Sequence, residues 1–211
     1  KEGLDLLSPS PFKGNIDLDK LEKILKEKNE KIPFVLMTIT NNTGGGQPVS
    51  MENLKKVKEL CGKYNKMFLL DACRFAENAW FVSQREDEYK DVEIRDITKE
   101  AFRLADGCTI SLKKDGFGNI GGILAFNDDD LAEQARNLLI LTEGFPTYGG
   151  LAGRDLDALA QGLKEITDKN YLEYRARSIS YLGEKALSFG IPIVQPAGGH
   201  ALYIDAKTFV P

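Results

Sequence analysis

Short apolar runs alternate with segments of helical periodicity through most of this chain. The runs cover residues 34–39, 67–70, 107–111 and 121–126, and they contain many residues that favour strands. Between the first two runs, Ser50 stands where a helix N-cap is expected, and apolar residues follow it at helical spacing. Strands that alternate with helices favour a mostly parallel sheet with helices on both faces. The sequence therefore predicts an α/β fold.

The chain after residue 127 is predicted to be mostly helical, with apolar residues at helical spacing. Two late apolar runs, at 191–194 and 201–204, are predicted to be strands. We therefore assign residues 1–190 to one large domain and residues 191–211 to the start of a smaller C-terminal domain. Few apolar residues open the chain and a predicted strand nearly ends it, so we expect truncation at both ends.

Composition excludes several classes of function. The net charge is −4 and the basic residues are interleaved with acidic ones, which disfavours binding to nucleic acid. No apolar run approaches the roughly 20 residues that cross a membrane, and no secretory signal opens the sequence. The 3 cysteines form no CxxC pair, which disfavours a zinc site and fits a reducing compartment. We expect a cytoplasmic protein with neither a nucleic-acid nor a membrane partner.

Amide, acidic, hydroxyl and basic side chains gather where the predicted strands end. In chain order they are Asn42, Asp71, Arg74, Ser111, Lys113 and Lys114. Ligands of open α/β sheets bind at the carboxyl ends of the strands. Pyridoxal phosphate requires a lysine amine, a carboxylate at its ring nitrogen and donors to its phenolic oxygen and phosphate. Taken singly, an aspartate here is more often a helix cap and adjacent lysines are usually solvated, so only their joint position favours a cofactor site.

Five segments carry a more specific signal. They read NTGGGQPVSMEN at 42–53, DACRFAENA at 71–79, SLKKD at 111–115, EGFPTYGGL at 143–151 and GGHA at 198–201. In this order they resemble the motifs of the β-eliminating lyases, the family of tryptophanase and tyrosine phenol-lyase. The resemblance implies the fold-type I, aminotransferase-like architecture of pyridoxal-phosphate enzymes. It also implies a homotetramer, an aromatic amino acid substrate and a monovalent cation such as potassium.

The resemblance implies a role for each residue at the strand ends. Lys114 is the lysine that binds the cofactor covalently and later moves the substrate α-proton. Asp71 is the partner of the ring nitrogen. Arg74 and Asn42 donate to the phenolic oxygen, with Asn42 also near the substrate carboxylate. Ser111 is a ligand of the cofactor phosphate.

Four further positions follow from the same resemblance. Lys113 is expected beside the site, with a structural or proton-relay role, and Asn119 stands where the family supplies a backbone carbonyl to the cation. Leu112 departs from the small residue expected between the serine and the lysines. His200 is expected to have a structural role near a domain junction, rather than a catalytic one.

Three functional hypotheses remain open. The first is β-elimination of tryptophan to indole, pyruvate and ammonia, which the motif residues Phe75, Phe145 and Thr147 favour. The second is tyrosine phenol-lyase activity with the same cofactor chemistry. The third is an inactive folded piece, because the family's phosphate loop, stacking aromatic and substrate-binding arginine have no match in this sequence. We expect the complete enzyme to be active and this chain alone to be inactive.

Overall fold

The computed structural model describes Leu7, residues 10–145 and residues 150–210. Its helices and strands, in chain order, are α1 (Leu18–Lys28), β1 (Phe34–Thr38), α2 (Met51–Lys63), β2 (Met67–Asp71), α3 (Phe75–Arg85), α4 (Ile94–Leu104), β3 (Gly107–Ser111), β4 (Gly122–Phe126), α5 (Asp129–Thr142), α6 (Gly153–Glu165), α7 (Lys169–Ser188) and α8 (Ala206–Phe209). Single 3-10 turns lie at residues 29–31, 42–44 and 87–89. No helix in this described part of the chain is long and apolar enough to cross a membrane.

The strands form one sheet in the order β1-β2-β3-β4. β1, β2 and β3 run parallel, with Thr38 opposite Asp71 and Asp71 opposite Thr109. β4 runs antiparallel to β3, with Gly122 opposite Ser111. Parallel neighbours need a long crossover, and helices fill both crossovers here. The predicted mostly parallel sheet with flanking helices is confirmed, and its three parallel strands end at the same edge.

One face of the sheet supplies the hydrophobic core. Its buried strand residues include Val35, Met37, Phe68 and Leu70, which cluster with buried residues of α2, α3 and α4. Full burial of such a side chain contributes about 1.5–3 kcal/mol relative to exposure. The opposite face is covered less, since Phe34 and Leu36 of β1 are 43% and 47% exposed. The alternating pattern predicts helices on both faces, whereas the described residues leave much of the second face of β1 open.

The first crossover helix begins as its sequence predicts. Ser50 caps α2, and its Oγ accepts from the Asn53 N–H at 3.0 Å. The helical spacing predicts that Leu54, Val57, Cys61 and Tyr64 share one face; the first three are fully buried, and Tyr64 is partly buried against the same core. The cap and the apolar stripe together fix where α2 starts and which face it presents to the core.

The late strands predicted at 191–194 and 201–204 do not form within the described residues. A single antiparallel bridge joins Ile193 to Ile204 instead. Prolines lie within and just after the first run, and proline has no N–H to donate to a strand ladder. This segment still docks on the rest of the chain, because Gln47 Nε2 donates to its backbone carbonyl at position 196, at 2.8 Å.

Candidate active site

The edge at which the three parallel strands end carries most of the predicted site. Asp71 ends β2 and Ser111 ends β3. β4 starts opposite Ser111, so the connection from β3 to β4 lies at this same edge. That connection carries Lys113 and Lys114, both of which are exposed. The structure thus brings together the acid, the serine and the two lysines.

Asp71 is held by two hydrogen-bond donors. Thr38 Oγ1 donates to Oδ2 at 3.3 Å, and the Cys73 thiol donates to Oδ1 at 2.9 Å. The Cys73 Sγ in turn accepts from the Ser111 N–H at 3.1 Å. Burial, and then the hydrogen bond to Asp71, raises the pKa of the Cys73 thiol, which keeps it protonated and able to donate. Cys73 therefore joins the ends of β2 and β3, although no local sequence pattern marks it for this role.

Arg74 stands at the start of α3 and is fixed through its backbone. Its N–H donates to the Ile39 carbonyl at 3.1 Å, which ties the start of α3 to the segment after β1. Ala72 N–H donates to the Thr109 carbonyl at 2.8 Å. Both bonds hold the backbone just beyond β2 against its two neighbouring strands. The Arg74 side chain therefore starts from the same sheet edge as Asp71.

Asn42 is oriented by two residues from near the far end of the chain. Its Oδ1 accepts from the Tyr203 hydroxyl at 2.6 Å and lies 2.9 Å from His200 Nε2. Among the described residues, the side-chain hydrogen bonds of Asn42 go to its Oδ1 and none goes to its Nδ2. His200 Nδ1 lies 2.9 Å from Glu77 Oε1. His200 thus links Asn42 to a buried carboxylate, which fits the structural role predicted for it.

The lysine loop, defined here as residues 112–118, is anchored at its first residue. The Leu112 side chain is buried, and its carbonyl accepts from the Gly118 N–H at 3.0 Å. A Cβ at Gly116 would lie 2.6 Å from the Leu112 carbonyl oxygen, so only glycine fits there. The large residue at position 112 therefore packs into the core and holds the loop, while Lys113 and Lys114 remain exposed.

A cluster of charged side chains, the buried Glu77 and Asp115 with the partly exposed Arg175, lies against the lysine loop. Arg175 Nη1 donates to Asp115 Oδ1 at 3.1 Å, and Nη2 lies 2.9 Å from Glu77 Oε2. The second approach is an ion pair outside hydrogen-bond angles. Burial raises the pKa of Asp115, and the pairing with Arg175 opposes that rise. Asp115 and Arg175 are 60 residues apart in sequence, so no local pattern reveals the cluster.

A cleft of about 1090 Å³ opens beside Asp71, Cys73, Ser111 and Lys113. The carboxylate and the hydroxyl group along this cleft fit pyridoxal phosphate, whose ring nitrogen and phosphate need such partners. Of the two adjacent lysines, Lys113 lines the cleft and Lys114 does not. Arg136 of α5 also lines the cleft. Arg136 adds a second positively charged side chain to the cleft. It lies outside the five sequence segments that carry the family resemblance.

Asn119 lies exposed in the connection that follows the lysine loop. The described residues contain no group of three or more His, Cys, Asp or Glu side chains able to hold a metal ion. The predicted cation ligand is the backbone carbonyl of Asn119, so this assignment stays a prediction.

A solved structure shares the fold of this chain. It comes from Exiguobacterium sp. 255-15 and is named as a candidate aromatic amino acid beta-eliminating lyase/threonine aldolase. The TM-score is 0.60 at 17% identity, and the match covers 82% of this chain and 45% of that one. At this identity the likeness concerns the fold alone. The chain therefore has the same α/β fold as that structure.

Sequence comparison places the chain more narrowly. The model of the beta-eliminating lyases matches residues 3–209, and the chain belongs to this family. Tryptophanase from Hyphomonas neptunium is 61% identical over 95% of this chain and 44% of its own length. Tryptophanase from Rhodobacter capsulatus is 57% identical over 99% and 46%, and tyrosine phenol-lyase from Pasteurella multocida is 52% identical over 95% and 44%. The predicted family is confirmed, and the chain spans less than half the length of these relatives.

Replacing Asp71 with asparagine should lower the pKa of the Cys73 thiol, because the replacement removes a carboxylate that opposes thiolate formation. Alkylation of Cys73 at neutral pH should then become faster, by about tenfold for each unit that the pKa falls. The rate is measured against pH in the cofactor-free protein by peptide mass spectrometry. Cys61, whose pKa burial raises to about 11, is the internal control and should not change. An unchanged pH profile for Cys73 would show that Asp71 does not govern its thiol.

Proposed function

We propose that this chain is part of a pyridoxal-phosphate-dependent lyase that cleaves tryptophan to indole, pyruvate and ammonia. The gathering of Asp71, Ser111 and Lys113 along one cleft, on the same edge as Lys114, carries the proposal. Membership of the beta-eliminating lyase family supports the lyase class and its expected cofactor. Two tryptophanases at 61% and 57% identity support tryptophan as the substrate.

In the proposed reaction, Asp71 and Lys114 each control the position of one proton. When bound, pyridoxal phosphate supplies an electron sink, because its protonated ring nitrogen stabilises negative charge at the substrate α-carbon. Asp71 keeps that nitrogen protonated, and the donors on its two oxygens keep the carboxylate in one orientation. Lys114 binds the cofactor through Nζ and, after the substrate releases it, takes the α-proton. Transfer of this proton from Lys114 to the aromatic ring carbon would let indole leave, and water would convert the three-carbon remainder to pyruvate and ammonia.

The other predicted residues bind the cofactor or orient the substrate. Arg74 and Asn42 donate to the phenolic oxygen, and Asn42 also lies near the substrate carboxylate. The unbonded Nδ2 of Asn42 supports its assignment as a donor. Ser111 holds the phosphate. Lys113 lines the same cleft as Asp71, which supports a structural or proton-relay role beside the reacting atoms.

Tyrosine phenol-lyase is the second candidate, because a relative of that name is 52% identical to this chain. Of the motif residues that favour tryptophan, Phe75 is 6% exposed and its ring meets Phe102 edge-on, with the centroids 5.6 Å apart. Phe75 therefore contributes to the packing between α3 and α4. Phe145 is exposed, and Thr147 lies outside the described residues.

Further proposals concern the cation, the assembly and the location. We assign potassium to the backbone carbonyl of Asn119, a homotetramer to the complete protein and the cytoplasm to its location. We also place the start of the smaller domain at residue 191. Exposed apolar side chains support assembly, since Leu36 and Leu141 would both gain from burial in a contact.

Borohydride reduction of the intact, cofactor-loaded lyase should fix the cofactor to Lys114. Peptide mapping locates the label, and label on Lys113 instead would overturn the assignment. Lys114→Ala should abolish turnover, by many orders of magnitude, because the covalent attachment and the base are lost together. It should retain some noncovalent cofactor binding, measured by fluorescence titration, since Asp71 and Ser111 remain.

The intact lyase should release indole from tryptophan faster than phenol from tyrosine. The comparison is made by kcat/KM for both substrates, with pyridoxal phosphate and potassium present. Each tenfold preference corresponds to about 1.4 kcal/mol in transition-state stabilisation. A larger kcat/KM for tyrosine would reject tryptophanase in favour of tyrosine phenol-lyase, while leaving the lyase class unchanged.

These 211 residues on their own should release no measurable indole. The family resemblance implies an arginine for the substrate carboxylate, a phosphate loop and a stacking aromatic, none of which it locates in this sequence. Each lost charge-assisted contact costs on the order of 1.5–3 kcal/mol, and ~1.4 kcal/mol is about tenfold in rate. Indole release is measured from the purified chain with added pyridoxal phosphate and potassium. Turnover near the roughly 10 per second of a typical enzyme would contradict the prediction.

A further inference from the structure

The cluster of Glu77, Asp115 and Arg175 joins two segments that carry predicted cofactor contacts. Asp115 directly follows Lys114, and Glu77 lies three residues after Arg74. Arg175 comes from α7, and its two terminal nitrogens divide between the two carboxylates, at 3.1 Å and 2.9 Å. One guanidinium group therefore spans from the lysine loop to α3.

Asp115 also caps α3 from outside that helix. Its Oδ2 accepts from the N–H groups of Ala76 and Glu77, at 2.9 Å and 3.3 Å. Arg74, at the N-cap position, makes no capping hydrogen bond through its side chain. Two first-turn N–H groups of α3 are thus bonded by the residue that follows Lys114. The Asp115 carboxylate thus ties the residue after Lys114 to the start of α3, in addition to the bond from the Asp115 N–H to the Cys73 carbonyl at 3.4 Å.

The charges explain why Asp115 needs Arg175. Asp115 is fully buried and Glu77 is 3% exposed, and no lysine in the described residues contacts either carboxylate. The other oxygen of Glu77 accepts from Thr40 Oγ1 at 2.7 Å and lies beside His200. Removing a partner from a buried pair leaves an uncompensated charge, which is strongly destabilising. Without Arg175, Asp115 would have to take up a proton or leave its place at the start of α3.

We propose that Arg175 is a positioning residue for Lys114. Its fork holds Asp115 against α3, and this fixes the lysine loop relative to Asp71 and Arg74. The guanidinium group is planar and presents its donors in a rigid fork, whereas a lysine ammonium group is a single point charge. Arg175→Lys should therefore keep the positive charge at this position, but it should reproduce only part of the two-sided contact with Asp115 and Glu77. The inference rests on the proposed role of Lys114 as the cofactor-binding lysine.

The test compares Arg175→Met and Arg175→Lys with Arg177→Met in the intact lyase. Arg177 is the matched control, because it lies on the same helix, is 80% exposed and pairs with Glu173 at 2.7 Å. The first readout is amide hydrogen exchange in the cofactor-free protein. Hydrogen-bonded reporters are available within the lysine loop: the N–H groups of Asp115, Phe117 and Gly118.

Arg175→Met should accelerate exchange of the lysine loop by at least about tenfold, because a buried carboxylate has lost its partner. Arg175→Lys should fall between Arg175→Met and wild type, and Arg177→Met should stay near wild type. The dissociation constant for pyridoxal phosphate should be largest in Arg175→Met, intermediate in Arg175→Lys and near the wild-type value in Arg177→Met. A purely structural role would instead accelerate exchange evenly along α7 and the core. That even pattern, or an unchanged lysine loop in Arg175→Met, would overturn the proposal.

Asp115→Asn covers the case in which Arg175→Met does not fold. This variant keeps an oxygen to accept from the α3 N–H groups but loses the charge that pairs with Arg175. It should accelerate exchange in the lysine loop selectively, and native exchange in both Asp115→Asn and Arg175→Lys would overturn the proposal. Borohydride labelling of the wild-type lyase tests the role of Lys114 separately from the role of Arg175. Label on Lys113 would refute the role of Lys114, whereas the exchange pattern would still decide whether Arg175 holds the loop.

Discussion

The parallel register of β1, β2 and β3 places Thr38, Asp71 and Thr109 side by side near one edge of the sheet. Successive side chains of a strand point to opposite faces, so a slip of one residue would turn Asp71 into the core. The same slip would expose Leu70, which is fully buried in the native register. The hydrophobic core thus fixes the face on which the carboxylate lies, and every further contact at the site is built from that position.

Hydrogen bonds just beyond the strand ends hold the following loops in place relative to the aligned strands. Cys73 connects Asp71 to the backbone of Ser111, and the Arg74 N–H connects α3 to the segment after β1. Leu112 anchors the lysine loop from the apolar side. Residues that bind a ligand need support from neighbours whose own positions are locked. Here that support comes from a thiol, a backbone N–H and a buried leucine.

The sequence predicts the parts of this site that are local. Asp71 and Ser111 stand where apolar runs stop, and Ser50 precedes an apolar stripe at helical spacing, so each is visible from its neighbours. The thiol bond to Asp71 and the pairing of Asp115 with Arg175 depend on tertiary geometry, which periodicity does not report. The run at 191–194 misleads for another reason, because its apolar pattern is strand-like while its proline cannot complete a ladder.

Glu77 is the point at which the separate parts of the site meet. Its Oε1 lies beside His200, which contacts Asn42, and its Oε2 pairs with Arg175. A buried polar network of this kind is stable when its members are satisfied and costly when one partner is missing. The late segment that carries His200 therefore does more than cover the loop after β1. Through its contact with Glu77 Oε1, this segment connects the amide of Asn42 to Arg175 and so to the lysine loop. Glu77 thereby connects the two ends of the proposed cofactor site, one after each outer parallel strand, through His200 on one side and Arg175 on the other.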